Sequence, residues 1–139
     1  MVEQPGFDVT TFLDHAGLRR RVMQFAAKDA LFSQGDPADS VFYLEKGRAK
    51  LNVVSAAGKE ATISLFSAGD FLGEEALAPI AGLRSAAATA ITACTALRID
   101  REEMMQVLQV EHSFSDLFLK VMLERSMRIQ ANLVDQLFN

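Results

Sequence analysis

Between residues 41 and 65 apolar and polar positions alternate: Val41 to Leu44, then Ala49, Leu51 and Val53, then Ala61, Ile63 and Leu65. A period of two sends successive side chains to opposite faces, so each segment predicts a half-buried strand. Gly35, Gly47, Gly58 and Gly69 punctuate these segments at separations of 12, 11 and 11 residues. Evenly spaced turn signals between short strands predict a small all-β unit. Ser55-Ala56-Ala57-Gly58-Lys59 reads as a hairpin connection, and Gln34-Gly35-Asp36-Pro37 has the composition of a tight turn. Ala86 to Ile99, rich in Thr and Ala, predicts two further strands.

The flanks change period. Asp8 to Met23 carries Phe12, Leu13, Ala16 and Leu18 at helical spacing, which predicts an N-terminal helix. Asp100 is followed three residues later by Glu103, and Ser113 by Asp116, each before an apolar run, the capping-box pattern of a helix start. From Ser113 onward Leu119, Met122, Ser126, Ile129, Leu133 and Gln136 recur at alternating spacings of 3 and 4, nearly three heptads of seam. Such a seam either packs back onto its own domain or meets a second copy as a homodimer contact. The pattern runs on through Leu137-Phe138-Asn139 with no cap or glycine, so a continuation is expected in the natural protein. The reading is one domain over 1–139: a helical segment over 1–30, a β-roll over 31–100, and C-terminal helices, the dimer helix among them, over 101–139.

Composition narrows the function. The chain has 139 residues, half of them hydrophobic, and no apolar run of the roughly 18 residues that a membrane span needs, so no membrane partner is expected. With 14 basic and 18 acidic side chains its net charge is −4, a poor match for a phosphate backbone. Taken alone, the chain is not expected to bind DNA. The single cysteine, Cys94, forms no internal disulfide, and Met1 to Gly6 lacks a basic and apolar leader pattern, so a reducing cytoplasm is the expected compartment. The two histidines, His15 and His112, fall in the helical flanks, far from any cluster with metal spacing. No catalytic residue, metal or resident cofactor is expected, and Cys94 reads as a small buried strand residue.

The chemistry concentrates in Gly69-Asp70-Phe71-Leu72-Gly73-Glu74-Glu75-Ala76-Leu77 and in Arg84-Ser85-Ala86. A strand ending in a glycine turn, followed by a short helical segment, offers backbone N–H groups to an anion, and Gly73 permits close approach. Arg84 adds a planar fork of donors suited to phosphate oxygens, and Ser85 a hydroxyl. Glu74 suits sugar hydroxyls, which makes a sugar phosphate a better fit than bare phosphate. The competing reading is that Glu74 or Glu75 pairs with Arg84 and the glycines only make turns.

The residues from about Leu31 to Asn139 resemble the cyclic-nucleotide-binding domain of Crp/Fnr-type bacterial transcription regulators. The resemblance rests on Gly35-Asp36-Pro37-Ala38-Asp39-Ser40, Phe42-Tyr43-Leu44, Gly47, Gly58-Lys59-Glu60 and the phosphate-binding cassette. In catabolite-activator-type members the cassette reads Phe-x-Gly-Glu, with Arg-Ser-Ala eleven residues after its glycine. Here the interval from Gly73 to Arg84 is also eleven.

The resemblance implies a double-stranded β-helix, or jelly roll, mainly β within an α+β chain, flanked by an N-terminal helix and a long C-terminal dimerisation helix. Cyclic AMP, or a related cyclic nucleotide, would lie between roll and helix. By position Glu74 resembles the acceptor for the ribose 2′-hydroxyl, Arg84 and Ser85 the groups that hold the cyclic phosphate, and the N–H groups of Glu75 and Ala76 would assist. Ile63, Ser64 and Leu72 fall on pocket-lining positions, with Leu51 closing a wall. Cyclic-AMP-responsive members offer adjacent Thr and Ser to the adenine, and here Gln130 and Ala131 stand there. Gln130 retains an amide for a base edge, whereas Ala131 has no polar group. The family also implies homodimerisation and DNA binding through a helix-turn-helix domain absent from this sequence. A ligand-independent member, or one sensing another small molecule, is the alternative. Iron–sulfur sensing would require several cysteines.

Overall fold

The computed structural model describes Val9, Thr11, Phe12 and residues 20–80 and 82–139. Eight strands are followed by two helices: β1 (Arg20–Phe25), β2 (Ala30–Phe32), β3 (Ser40–Lys46), β4 (Ala49–Val54), β5 (Glu60–Phe66), β6 (Phe71–Leu72), β7 (Ala87–Ala90), β8 (Cys94–Asp100), α1 (Arg101–Val110) and α2 (His112–Phe138). A single 3-10 turn, Glu74–Leu77, lies between β6 and β7. The strands form two four-stranded antiparallel sheets, ordered β1-β8-β3-β6 and β2-β7-β4-β5. Non-sequential neighbours in both sheets give the jelly-roll wrapping that the family resemblance implied, built from the small all-β unit that the glycine spacing predicted.

The chain divides into two compact units, one spanning Arg19–Met104 and the other holding Met105–Asn139 with the beginning of the chain. In the first unit the core is built from Leu31, Phe32, Phe42, Leu44, Ala49, Phe66, Leu72, Ala88, Ala90, Cys94 and Ala96. The central strands explain it. In β3, Val41, Phe42 and Leu44 are all buried, and in β8 so are Cys94, Ala96, Leu97 and Ile99. The expected hairpin at 55–59 is closed by the Ser55 N–H donating to Lys59 O and the Gly58 N–H to Ser55 O, both at 2.9 Å. At the tight turn the Ser33 N–H donates to the Asp36 carboxylate at 3.0 Å, and the Asp36 N–H to Ser33 O at 3.1 Å.

The structure departs from the sequence reading in three places. Residues 1–30 are not helical throughout: Val9, Thr11 and Phe12 are, but the roll begins at Arg20, where β1 pairs from Arg20↔Ile99 to Phe25↔Cys94. Met23 and Phe25 pack on the core two residues apart, so cross-strand pairing at long range overrides a local spacing that is compatible with a helix. Leu13, Ala16 and Leu18, on which that helix also rested, lie outside the described residues. Second, β5 is not half-buried, since Ile63 and Leu65 are each 53% exposed. It is the outermost strand of its sheet, with β4 as its one neighbour. Third, α2 starts at His112 with Glu111 as its N-cap residue and no side-chain cap bond, so Ser113 is already inside the helix. The hydroxyl that works there is Ser115, which donates to Leu108 O and Glu111 O.

In the second unit Phe114 is fully buried and its ring stacks on Phe12 at 5.4 Å between centroids. Along α2, by contrast, Leu119, Leu123, Met127, Ile129, Leu133 and Val134 are exposed in the single chain.

Candidate functional site

The site begins with β6, whose two residues pair with β3 as Phe42↔Leu72 and Tyr43↔Phe71 and deliver the chain to Gly73. Gly73 sits at φ 80°, ψ 22°, the left-handed region, and caps the 3-10 turn Glu74–Leu77. A Cβ there would stand 2.8 Å from Arg84 Nη1, so both the backbone angle and the close approach require glycine. Inside the turn the Ala76 N–H donates to Gly73 O at 3.1 Å. Arg101 fixes the far side, its Nε donating to Ala76 O at 2.8 Å.

The second half of the site returns at Arg84. Leu83 bridges Pro37, the Arg84 N–H donates to Asp36 O at 2.7 Å, and the Gly35 N–H donates to Arg84 O at 2.8 Å. The turn between β2 and β3 therefore clamps the Arg84 backbone. Its side chain is 1% exposed. Nη1 donates to Gly73 O at 2.9 Å, Nη2 donates to Ser40 O at 2.6 Å, and Cζ lies 4.2 Å above the centre of the Phe32 ring. Nη1 also meets Glu75 Oε1 at 3.0 Å, in an ion pair whose acidic side chain is 40% exposed. Nε is buried with no hydrogen-bond partner.

Arg84 is thus a guanidinium taken out of water and held by two backbone carbonyls, a carboxylate and an aromatic face. The spacing of eleven residues between Gly73 and Arg84 is realised as direct contact. The pairing of Glu75 with Arg84, one of the two readings open from the sequence, is present. Of the N–H groups expected to face a ligand, that of Ala76 is occupied within the turn.

The remaining residues are placed as follows. Glu74 is half-buried at the first position of the turn, and Ser85 is exposed beside Arg84. Leu51 pairs with Ser64 across β4 and β5 and with Ala88 across β4 and β7. The next pair is Asn52↔Thr62, so Ile63 is the residue skipped by a bulge, a device that re-aims side chains at strand edges. Leu72 is fully buried and belongs to the core between the sheets. Gln130 lies on α2, in the other compact unit, and is exposed. A cleft of about 200 Å³ touches Arg84, but its other lining residues are Leu31, Phe32, Asp36, Pro37, Asp39, Ser40, Phe42 and Arg98. Of the partners that hold Arg84, Asp36 and Ser40 fall in the Gly35–Ser40 stretch that carries the family resemblance, but nothing there ties them to Arg84, and Phe32 has no signal beyond its strand. Ser40 lies 44 residues from Arg84.

The profile of the cyclic nucleotide-binding domain matches residues 22–111 of the chain, a stretch that contains the whole Gly73–Arg84 arrangement. The chain belongs to the cyclic nucleotide-binding domain family. Within that family its similarity runs to CRP-type regulators. It is 29% identical over 119 residues to the cAMP-activated global transcriptional regulator CRP of Escherichia coli, covering 86% of this chain and 53% of that one. Among solved structures, the catabolite activator protein of Thermus thermophilus superposes with a TM-score of 0.70 at 25% identity, over 96% of this chain and 61% of that one. The c-di-GMP responsive regulator CLP of Xanthomonas campestris shares the fold, with a TM-score of 0.71 at 22% identity over 91% and 58%. The chain spans about half the length of the curated relatives it matches.

Proposed function

We propose that this cyclic nucleotide-binding domain is the effector-sensing part of a Crp/Fnr-type transcription regulator, that its effector is a cyclic nucleotide, cyclic AMP first, and that its activity is binding rather than catalysis. The observation that carries the reading is the buried Arg84 guanidinium packed on the Gly73 carbonyl. In this proposal Arg84 and Ser85 hold the cyclic phosphate and Glu74 accepts from the ribose hydroxyl. Ile63, Ser64 and Leu72 line the nucleotide pocket, and Gln130 offers its amide to the base edge. The Escherichia coli relative is a cAMP-activated regulator, which supports cyclic AMP as the first ligand to try.

The exposed apolar seam of α2 supports a homodimer through Leu119, Met122, Ser126, Ile129, Leu133 and Gln136. Leu119, Ile129 and Leu133 are 58%, 44% and 53% exposed in the single chain, an arrangement that a second helix would cover. The ligand then acts by favouring one arrangement of the helix pair, and DNA is reached only through a further domain of the whole protein. The setting of the proposal is cytoplasmic.

One observation favours a second reading, in which the cassette is architecture only: Glu75 already occupies the anion position on Arg84. A thermal-shift and calorimetric screen with cyclic AMP, cyclic GMP and c-di-GMP separates the two. A ligand at 100 times its Kd stabilises the fold by about 2.7 kcal/mol. Absence of any shift with all three nucleotides at millimolar concentration, matched by heatless titrations, rejects cyclic-nucleotide sensing in favour of the architectural reading.

A further inference from the structure

We infer that the Glu75 side chain is the affinity-setting element of the anion site, an internal carboxylate that holds Arg84 in the absence of ligand and competes with a phosphate for it. The inference rests on the reading of Arg84 as the anion anchor and makes its pairing with Glu75 part of ligand binding rather than an alternative to it.

Arg84 Nη1 is shared between Gly73 O at 2.9 Å and Glu75 Oε1 at 3.0 Å, and Nη2 is committed to Ser40 O at 2.6 Å. The guanidinium side chain is 1% exposed, so an arriving anion finds few donors pointing to solvent. What it meets instead is the Glu75 carboxylate, 40% exposed, at the mouth of the same contact. The carbonyl partners are fixed by β3 and by the Gly73 turn, whereas Glu75 reaches Nη1 through its side chain, which can swing away without moving backbone. Glu75 is therefore the partner that an anion displaces. Its carboxylate resembles a ligand phosphate in charge and in bonding to the guanidinium, so the two exclude each other at Nη1. Glu74, next along the turn, adds a second negative charge nearby. The site thus discriminates against weak anions and admits one that brings further contacts of its own, which a nucleotide has and inorganic phosphate lacks.

The test is a titration of parent, Glu75→Gln and Glu75→Ala proteins with cyclic AMP by calorimetry, alongside melting curves in increasing inorganic phosphate. Glu60→Gln, on the exposed Lys50–Glu60 pair, controls for net charge. Removing the competitor and its repulsion tightens cyclic AMP binding about tenfold in both Glu75 variants, with the control unchanged. Parent and Glu75 variants binding cyclic AMP within twofold of each other overturns the role of Glu75 while leaving the nucleotide reading in place. Cyclic AMP binding to none of them, with phosphate stabilising the Glu75 variants but not the parent, upholds the role of Glu75 and removes the nucleotide. No response to either anion in any variant overturns both.

Discussion

Arg84→Ala is the substitution that most directly tests how this domain is assembled. Read from sequence, Arg84 is a candidate ligand contact or the partner of a neighbouring glutamate. The structure makes it a structural member as well. Truncation leaves Gly73 O and Ser40 O without their charged donor, strips the face of Phe32 and empties the space of a buried side chain. Hydrogen bonds to charged groups contribute about 1.5–3 kcal/mol each, and the ring contact about 1 kcal/mol. The Glu75 pair adds little, because its acidic side is 40% exposed and screened by water. Against these stands the relief of no longer burying a guanidinium, which returns several kcal/mol. The net expectation is a loss of about 3 kcal/mol. In urea, with a slope near 2 kcal/mol/M, the midpoint falls by about 1.5 M, and the melting temperature by about 10 °C. Equilibrium urea unfolding of parent, Arg84→Ala and Arg84→Lys, without nucleotide, checks it. Arg84→Lys is expected between the others, because one ammonium cannot span the Gly73 and Ser40 carbonyls as the fork does. A midpoint for Arg84→Ala within about 0.3 M of the parent refutes the structural role and returns Arg84 to ligand binding alone.

Other expectations follow from single contacts. Gly73→Ala places a Cβ 2.8 Å from Arg84 Nη1 at φ 80°, and is expected to cost about 2 kcal/mol in denaturant unfolding and to weaken cyclic AMP binding with it. Ile129→Glu combined with Leu133→Glu is expected to abolish a monomer–dimer transition in sedimentation equilibrium; a parent protein that is monomeric at all concentrations removes the seam as a dimer contact. Burial pushes the Cys94 thiol above its ordinary range near 9, against the lowering effect of its bonds to Arg48 and Thr92. The native state keeps that proton where the unfolded chain loses it, so this contribution to stability is intact below pH 9 and is lost as pH rises beyond it. Cys94→Ala should flatten the alkaline limb of stability against pH, and an unchanged limb would assign that limb to other groups.

How much was legible in the sequence depended on the range of the interaction. Strands β3, β4, β5, β7 and β8 were readable because alternation and glycine spacing are local consequences of the pleat and of its turns. The cassette was readable as a spacing of eleven residues, since the same two half-sites recur at that interval in a known family. β1 was hidden, because Arg20 to Phe25 becomes a strand only by pairing with β8, more than 65 residues away in sequence. So was the exposure of Ile63 and Leu65, since alternation says which side chains share a face but not whether anything covers it.

Sequence by itself determined the family, the roll and the eleven-residue interval between Gly73 and Arg84. Only the tertiary structure decided what holds Arg84 in the absence of ligand. Ser40, Phe32 and Asp36 converge on Arg84 through sheet topology and the β2–β3 turn, and no local pattern encodes that convergence. Glu75 was a candidate partner, but a carboxylate nine residues before the guanidinium can face solvent or turn toward it, and packing alone selects between them. The physical reason is that local backbone preferences act over a few residues, whereas burying one charge requires partners drawn from wherever the fold brings them.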